Sequence, residues 1–333
     1  MDNHRGPAEY AQVLNVWLEK SMPILTPAGV ALGFLLPGIF SALRPFVPWL
    51  FAVMTLSGAI NLKVREFGLA LRDPLPIVLV FAASHVVMPL TALFVATLVF
   101  RDEGGIISGY VLLYSIPTAV SGFIWVSMYR GDKALALALI LIATIAAPLI
   151  TPFTMSALLG TSAALDMPGI ALSLVLMVVV PTVIGIGTNE ISRGKVPRLI
   201  SPWLNPLAKF CLILVIAANT AAAAPKVHLA DPQVWIIAGV CVFLALVSYG
   251  VSRAIGMLSS LSPEKQVTVF FSTGLRNISA AATIAIEFFP EQAALPALLG
   301  ILFQQIIAAL MGRLFLGSRV FVRQKRRIAV KPM

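Results

Sequence analysis

The chain is written in long apolar runs separated by short polar ones. Stretches of about 17–25 mostly apolar residues recur from end to end, the length an α-helix needs to cross about 30 Å of hydrocarbon. Ten spans are predicted, at 24–43, 46–62, 76–100, 106–128, 133–159, 168–187, 203–224, 233–258, 265–289 and 294–312. The first, around Ile24–Phe40, is long for a signal-peptide core and is followed by no small-residue cleavage pattern, so it is read as a span. Connections such as Arg130–Asp132 are very short, which makes most neighbours antiparallel hairpins. The expected fold is an all-α polytopic membrane protein of ten transmembrane helices. A cytoplasmic segment covers 1–23, a first five-helix repeat 24–159, a second 160–318, and a basic cytoplasmic tail 319–333.

Two spans are interrupted. Span four carries Ser115-Ile116-Pro117-Thr118-Ala119-Val120-Ser121-Gly122 at its centre, and span nine carries Ser272-Thr273-Gly274-Leu275-Arg276-Asn277-Ile278-Ser279. A proline in mid-helix removes one hydrogen bond and clashes with the carbonyl four residues back. Broken, polar helix is tolerated in a membrane only where it faces protein or a water-filled cavity. Kinks and small residues also serve close packing alone, so neither cluster decides by itself. Together they say more, because each falls in the fourth helix of a five-helix half, and an odd number of spans inverts the second half. Paired broken helices at matching places in inverted halves point to a transporter site at the midplane. Pro117, Gly122 and Gly274 are the expected helix-break positions.

Charge then sets the orientation. If both ends are cytoplasmic, nineteen Lys and Arg fall on inner segments and only Arg44, Arg101 and Lys226 on outer ones, while Lys209 and Arg276 lie within spans. Basic residues mark the cytoplasmic side, so a cell inner membrane location with both termini inside is expected. The net charge of +10 is therefore a matter of bilayer orientation and not of nucleic acid. The tail Arg319–Lys331 is a stop-transfer flank or a site for anionic lipid. Composition agrees, with 59% hydrophobic and 11% charged residues against roughly 25% charged in soluble domains. Cys211 and Cys241 lie in apolar runs and read as packing residues, so no disulfide, metal or cofactor is expected.

Other motifs resemble a known family. Pro48-Trp49-Leu50 with Leu62-Lys63-Val64-Arg65-Glu66-Phe67, Met88-Pro89, Pro117 through Arg130-Gly131-Asp132, Ala146-Ala147-Pro148-Leu149-Ile150-Thr151-Pro152, and Ser272-Thr273-Gly274-Leu275-Arg276-Asn277 keep the order and spacing seen in bile acid:sodium symporters. The resemblance covers nearly the whole chain. It implies a 5+5 inverted repeat with a four-helix panel against a six-helix core, two crossing discontinuous helices, and substrate in the cleft between panel and core. It also implies transport of small organic anions. The family's sodium ligands are largely replaced: Gly122-Phe123 stand at its Ser-Asn, Ala136 and Ile140 at its hydroxyls, Ser272 at its acid and Arg276 at its glutamine. Pro117, Gly274 and Asn277 match.

The expected function is secondary transport of a small organic anion by alternating access, not sodium-coupled in the usual way. Two alternatives stay open: a sodium symporter with backbone-carbonyl ion sites, and a transport-deficient membrane sensor. None of the fourteen acidic residues lies in mid-span. An arginine at the membrane centre costs about 2.5–3.5 kcal/mol, which makes Arg276 the sharpest candidate, as an anion clamp or as a tie to the broken backbone. Asn277, Thr118, Ser121, Ser272 and His85 complete the expected substrate site. His85 is a candidate proton carrier or a packing histidine, so H+ and Na+ both remain candidate coupling ions. Lys209 reads as snorkelling to the interface. Ser57, Asn61, Gln304 and Gln305 are candidates for lining the cleft or bonding across helices. No H-E-x-x-H, G-x-S-x-G or Walker A pattern points to an enzyme. The oligomeric state stays open.

Overall fold

Prolines shape most of these helices. The computed structural model describes residues 7–65, 68, 71–160, 166–224 and 230–328. Its helices are α1 (Pro7–Leu35), α2 (Val47–Ala59), α3 (Leu75–Phe100), α4 (Gly104–Ser115), α5 (Gly122–Met128), α6 (Lys133–Leu159), α7 (Met167–Ile191), α8 (Lys195–Ala223), α9 (Pro232–Leu258), α10 (Pro263–Gly274), α11 (Ile278–Phe288) and α12 (Ala294–Ile328). No strand occurs among the described residues, apart from one isolated bridge described below.

Seven helices among the described residues are long and apolar enough to cross a membrane. Three further apolar helices are shorter: Ile24–Leu35, the second half of α1, and α4 and α11, each half of an interrupted pair. The helix of the first predicted span begins at Pro7, not near residue 24, and α8 begins at Lys195, eight residues before span seven. Glu9, Glu19 and Lys20 interrupt the apolar run of α1 without interrupting its backbone, since charged straight-chain residues are good helix formers. Pro37 and Gly38 close the first helix at Leu35, and short turns over Pro37–Phe40 and Ser41–Phe46 lead into α2.

α3 and α7 each widen to a π-turn, at Ala83–Val87 and Val175–Val179. In each case a proline lies two residues beyond the turn, Pro89 and Pro181, whose ring cannot sit beside the carbonyl four residues back. α6 is capped by Asp132, which accepts from the Leu135 amide at 3.0 Å.

The helices sort into two groups. α1 packs along α8, and α2 lies against both α7 and α8, forming a four-helix panel. α3 to α6 and α9 to α12 form the second group, in which α9 packs on α10 and α12, and α4 on α3, α6 and α12. Close approach at the panel needs Gly33, where a Cβ would come within 2.5 Å of the Ala217 carbonyl. Asn219 Nδ2 of α8 donates to Thr283 Oγ1 of α11 at 3.1 Å, and Arg44 Nη2 donates to the Ile286 carbonyl at 3.2 Å. These two bonds join panel to core at one end.

The expected outer residue Lys226 and the side chains of the tail Arg319–Lys331 lie outside the described residues.

Candidate functional site

Pro117 decides how span four breaks. It offers no N–H to the Leu113 carbonyl, and α4 stops at Ser115. Ile116 is extended, and α5 starts only at Gly122. α10 stops at Gly274, Leu275 is extended, and α11 starts at Ile278.

The two unwound stretches lie against each other. Thr118 and Arg276 form an antiparallel bridge, Ala119 N donates to the Leu275 carbonyl at 3.2 Å, and Asn277 N donates to the Pro117 carbonyl at 3.0 Å. Thr118 Oγ1 adds a bond to the same Leu275 carbonyl at 3.1 Å. Neighbouring helices satisfy the groups next to the breaks. Thr151 donates to the Ser115 carbonyl at 3.0 Å, Ser248 to the Thr273 carbonyl at 2.9 Å, and the Arg276 amide donates to Gln304 Oε1 at 3.1 Å. The breaks are thus closed by their partners, as burial requires.

Arg276 is 2% exposed, and none of its three guanidinium nitrogens has a hydrogen-bond partner among the described residues. Its Cζ lies 5.9 Å above the centre of the Tyr114 ring, within cation–π range. Arg276, Ile278 and Gln304 separate two cavities. On one side is a cavity of about 160 Å³ lined by Ser121, Asn277, Ser279, Gln305, Thr26 and Thr55 among others. On the other is one of about 20 Å³, with Tyr114, Cys241, Tyr249 and Gly274 in its wall. Gly274 is required there, because a Cβ would meet the Tyr249 ring at 2.2 Å.

The larger cavity continues outward. Through Met54, Thr55, Ser121 and Asn277 it joins a cleft of about 430 Å³ between panel and core. Asn15, Asn61 and Asn205 link that cleft to a mouth of about 730 Å³, whose charged lining is Lys63, Arg65, Arg193 and Arg198 against Glu190 alone. A path runs from the cationic mouth through a mainly apolar cleft, in which Asn15, Asn61, Asn205 and Lys209 supply polar groups, to the crossing.

The expected site residues divide. Arg276, Asn277 and Ser121 line the crossing cavity, with Gln304 and Gln305. Thr118 turns its hydroxyl to the other break, and Ser272 is buried in α10 away from the cavity walls. His85, on the π-turn of α3, lines neither crossing cavity and packs its ring 5.1 Å from that of Phe81. Ser57 and Asn61 line the cleft, bonded to Asn205 and Ser201. Lys209 lines the cleft and donates to Asn15 Oδ1 at 2.5 Å, Asn15 lining both cleft and mouth. Thr26, Thr55 and Ser279 were not singled out in advance. Their one signal is a hydroxyl at an otherwise apolar stretch of a span.

The sequence pattern described as Sodium Bile acid symporter family matches residues 47–228. The chain belongs to this family. It is 38% identical over 291 residues to the uncharacterized protein YbaS of Bacillus subtilis (strain 168), covering 87% of this chain and 95% of that protein. It is 26% identical over 286 residues to the probable sodium/metabolite cotransporter BASS3, chloroplastic, of Oryza sativa subsp. japonica, covering 84% of this chain and 66% of that one. It is 20% identical over 270 residues to the uncharacterized sodium-dependent transporter YocS of Bacillus subtilis (strain 168), covering 80% and 81%. Membership in a symporter family, together with seven helices among the described residues long and apolar enough to span, makes this a multi-pass membrane protein of the transporter class.

Proposed function

We propose that this family member is a secondary transporter of a small organic anion that needs no sodium ion at the crossing. In this reading the chain is a 5+5 inverted repeat in the inner membrane with both termini cytoplasmic. The mouth lined by Lys63, Arg65, Arg193 and Arg198 then opens to the cytoplasm, and the Asn219–Thr283 and Arg44–Ile286 bonds close the opposite side.

One observation carries the anion reading: a fully buried arginine, without a hydrogen-bonded or carboxylate partner among the described residues, in the wall of a cavity half of whose lining residues are polar and which is reached through a cationic mouth. A buried charge without a partner is costly, and a negative ligand relieves that cost. The N-terminal end of α11, with Asn277 and Ser279, adds positive potential on the cavity side. Asn277, Ser121 and Gln305 supply orienting hydrogen bonds. The cationic mouth gathers anions by long-range attraction, an effect that weakens with salt.

The test is a thermal-shift screen of small carboxylates on the purified full-length protein, followed by uptake of any hit into proteoliposomes. The reading expects saturable stabilisation by at least one carboxylate and uptake of the same compound. Binding without flux would support the sensor instead. Stabilisation only by cations or neutral solutes would contradict the anion reading.

A second reading has its own support, the names of relatives called sodium/metabolite cotransporter and sodium-dependent transporter. Under it, carbonyl oxygens at the breaks hold Na+ and drive metabolite uptake, and replacing Na+ by choline abolishes both.

A further inference from the structure

The family name implies a bound sodium ion, and the residues at the crossing do not fit one. A hard cation needs several oxygens free to face it. Here the Leu275 carbonyl already accepts from Ala119 N and Thr118 Oγ1, and the Pro117 carbonyl from Asn277 N. The Ser115 and Thr273 carbonyls accept from Thr151 and Ser248. Among the described residues no group of three or more His, Cys, Asp or Glu side chains comes together.

A cation of the chain's own stands in the same place. The Arg276 guanidinium lies over Tyr114, in the last turn of α4, and shares a wall with Gly274, the last residue of α10. The C-terminal end of a helix acts as about half a negative charge, and residues of two such ends line the same small cavity as Arg276. One carbonyl at each end lacks its usual donor: that of Leu113, because residue 117 is proline, and that of Ser272, because the Arg276 amide turns to Gln304. The potential at the crossing therefore favours a cation on the α4/α10 side and an anion on the cavity side, at the start of α11.

From this we infer that Arg276 is a tethered cation. Its guanidinium performs, without leaving the chain, the electrostatic task a bound alkali ion would perform at the joined ends of α4 and α10. It follows that the wild-type crossing is closed to alkali ions, and that Arg276→Gln opens a site for one, since it removes the charge and adds an amide oxygen to the Leu113 and Ser272 carbonyls that lack their usual donors. This rests on the symporter-family reading but not on which anion is carried.

The experiment uses full-length wild type, Arg276→Gln and Arg276→Lys, with no organic anion present. Melting temperatures are measured in about 0.1 M NaCl, LiCl, KCl or choline chloride, so that chloride is constant. Wild type and Arg276→Lys should melt alike in all four salts. Arg276→Gln should melt lower than wild type in choline and recover by about 2–4 °C in at least one alkali salt, the shift expected for a site filled about tenfold above its Kd. Equal melting of Arg276→Gln in every salt would overturn the inference, and so would a wild type stabilised by Na+ to the same extent. If Arg276→Gln does not fold, calorimetric titration of wild type with NaCl against choline chloride still decides: no saturable heat is expected, and a saturable one refutes the tethered cation. A failed carboxylate screen would leave these outcomes untouched.

Discussion

The backbone amide of Asn277 donates to the carbonyl of Pro117 at 3.0 Å, joining two residues 160 positions apart at the point where each of their helices comes undone. Each break supplies what the other lacks: the Pro117 stretch offers a carbonyl, and the Asn277 stretch an amide. With the Ala119–Leu275 bond, this makes the crossing a small piece of paired backbone inside a helical protein.

Replacing Pro117 by alanine should weaken that crossing. An N–H at residue 117 gives the Leu113 carbonyl its missing donor and lets α4 continue, removing a helix-breaking term of about 3 kcal/mol. A folded, monodisperse Pro117→Ala protein is expected, with anion affinity reduced at least tenfold in the thermal-shift assay, about 1.4 kcal/mol. Unchanged affinity would show that the break is held by its surroundings alone.

Gly274→Ala should destabilise by about 1–3 kcal/mol, because its new methyl meets the Tyr249 ring, itself packed on Phe270 with ring centres 4.9 Å apart. Tyr249→Leu in the same chain should recover part of the loss, since the two sites are in contact and their effects are not additive. The comparison is a denaturation series on the four proteins. Purely additive losses would mean that the methyl is accommodated elsewhere.

The basic mouth makes a prediction about sidedness. Single cysteines at Arg130 and Lys195 should be shielded from impermeant thiol reagents in whole cells, and one at Arg101 should react. Labelling at Lys195 and not at Arg101 would reverse the orientation, and with it the direction in which the cleft faces.

Much of this architecture is legible in the sequence, because a bilayer forces hydrophobic length onto every spanning helix. The span predicted at 133–159 coincides with α6, and the residues named at both interruptions are those at which α4 and α10 end. The start of α1 was hidden, since Glu9, Glu19 and Lys20 end an apolar run but not a helix. The site was only half legible. Arg276 stood out by its charge, but periodicity carries no information on side-chain direction, and the turn of its guanidinium toward Tyr114 depends on α4, α9 and α10 meeting in space. The Thr118 hydroxyl was legible as polar but not as already engaged by Leu275. The bond from Lys209 to Asn15 was not legible, because the two lie 194 positions apart.

The most direct test of anion transport around a built-in cation is uptake of a carboxylate that binds, measured in proteoliposomes as Na+ is replaced by choline at constant ionic strength. The account predicts initial rates and affinity within about twofold of each other in the two media. A loss of more than about tenfold in choline, worth about 1.4 kcal/mol, would contradict it and show that the crossing binds sodium despite Arg276.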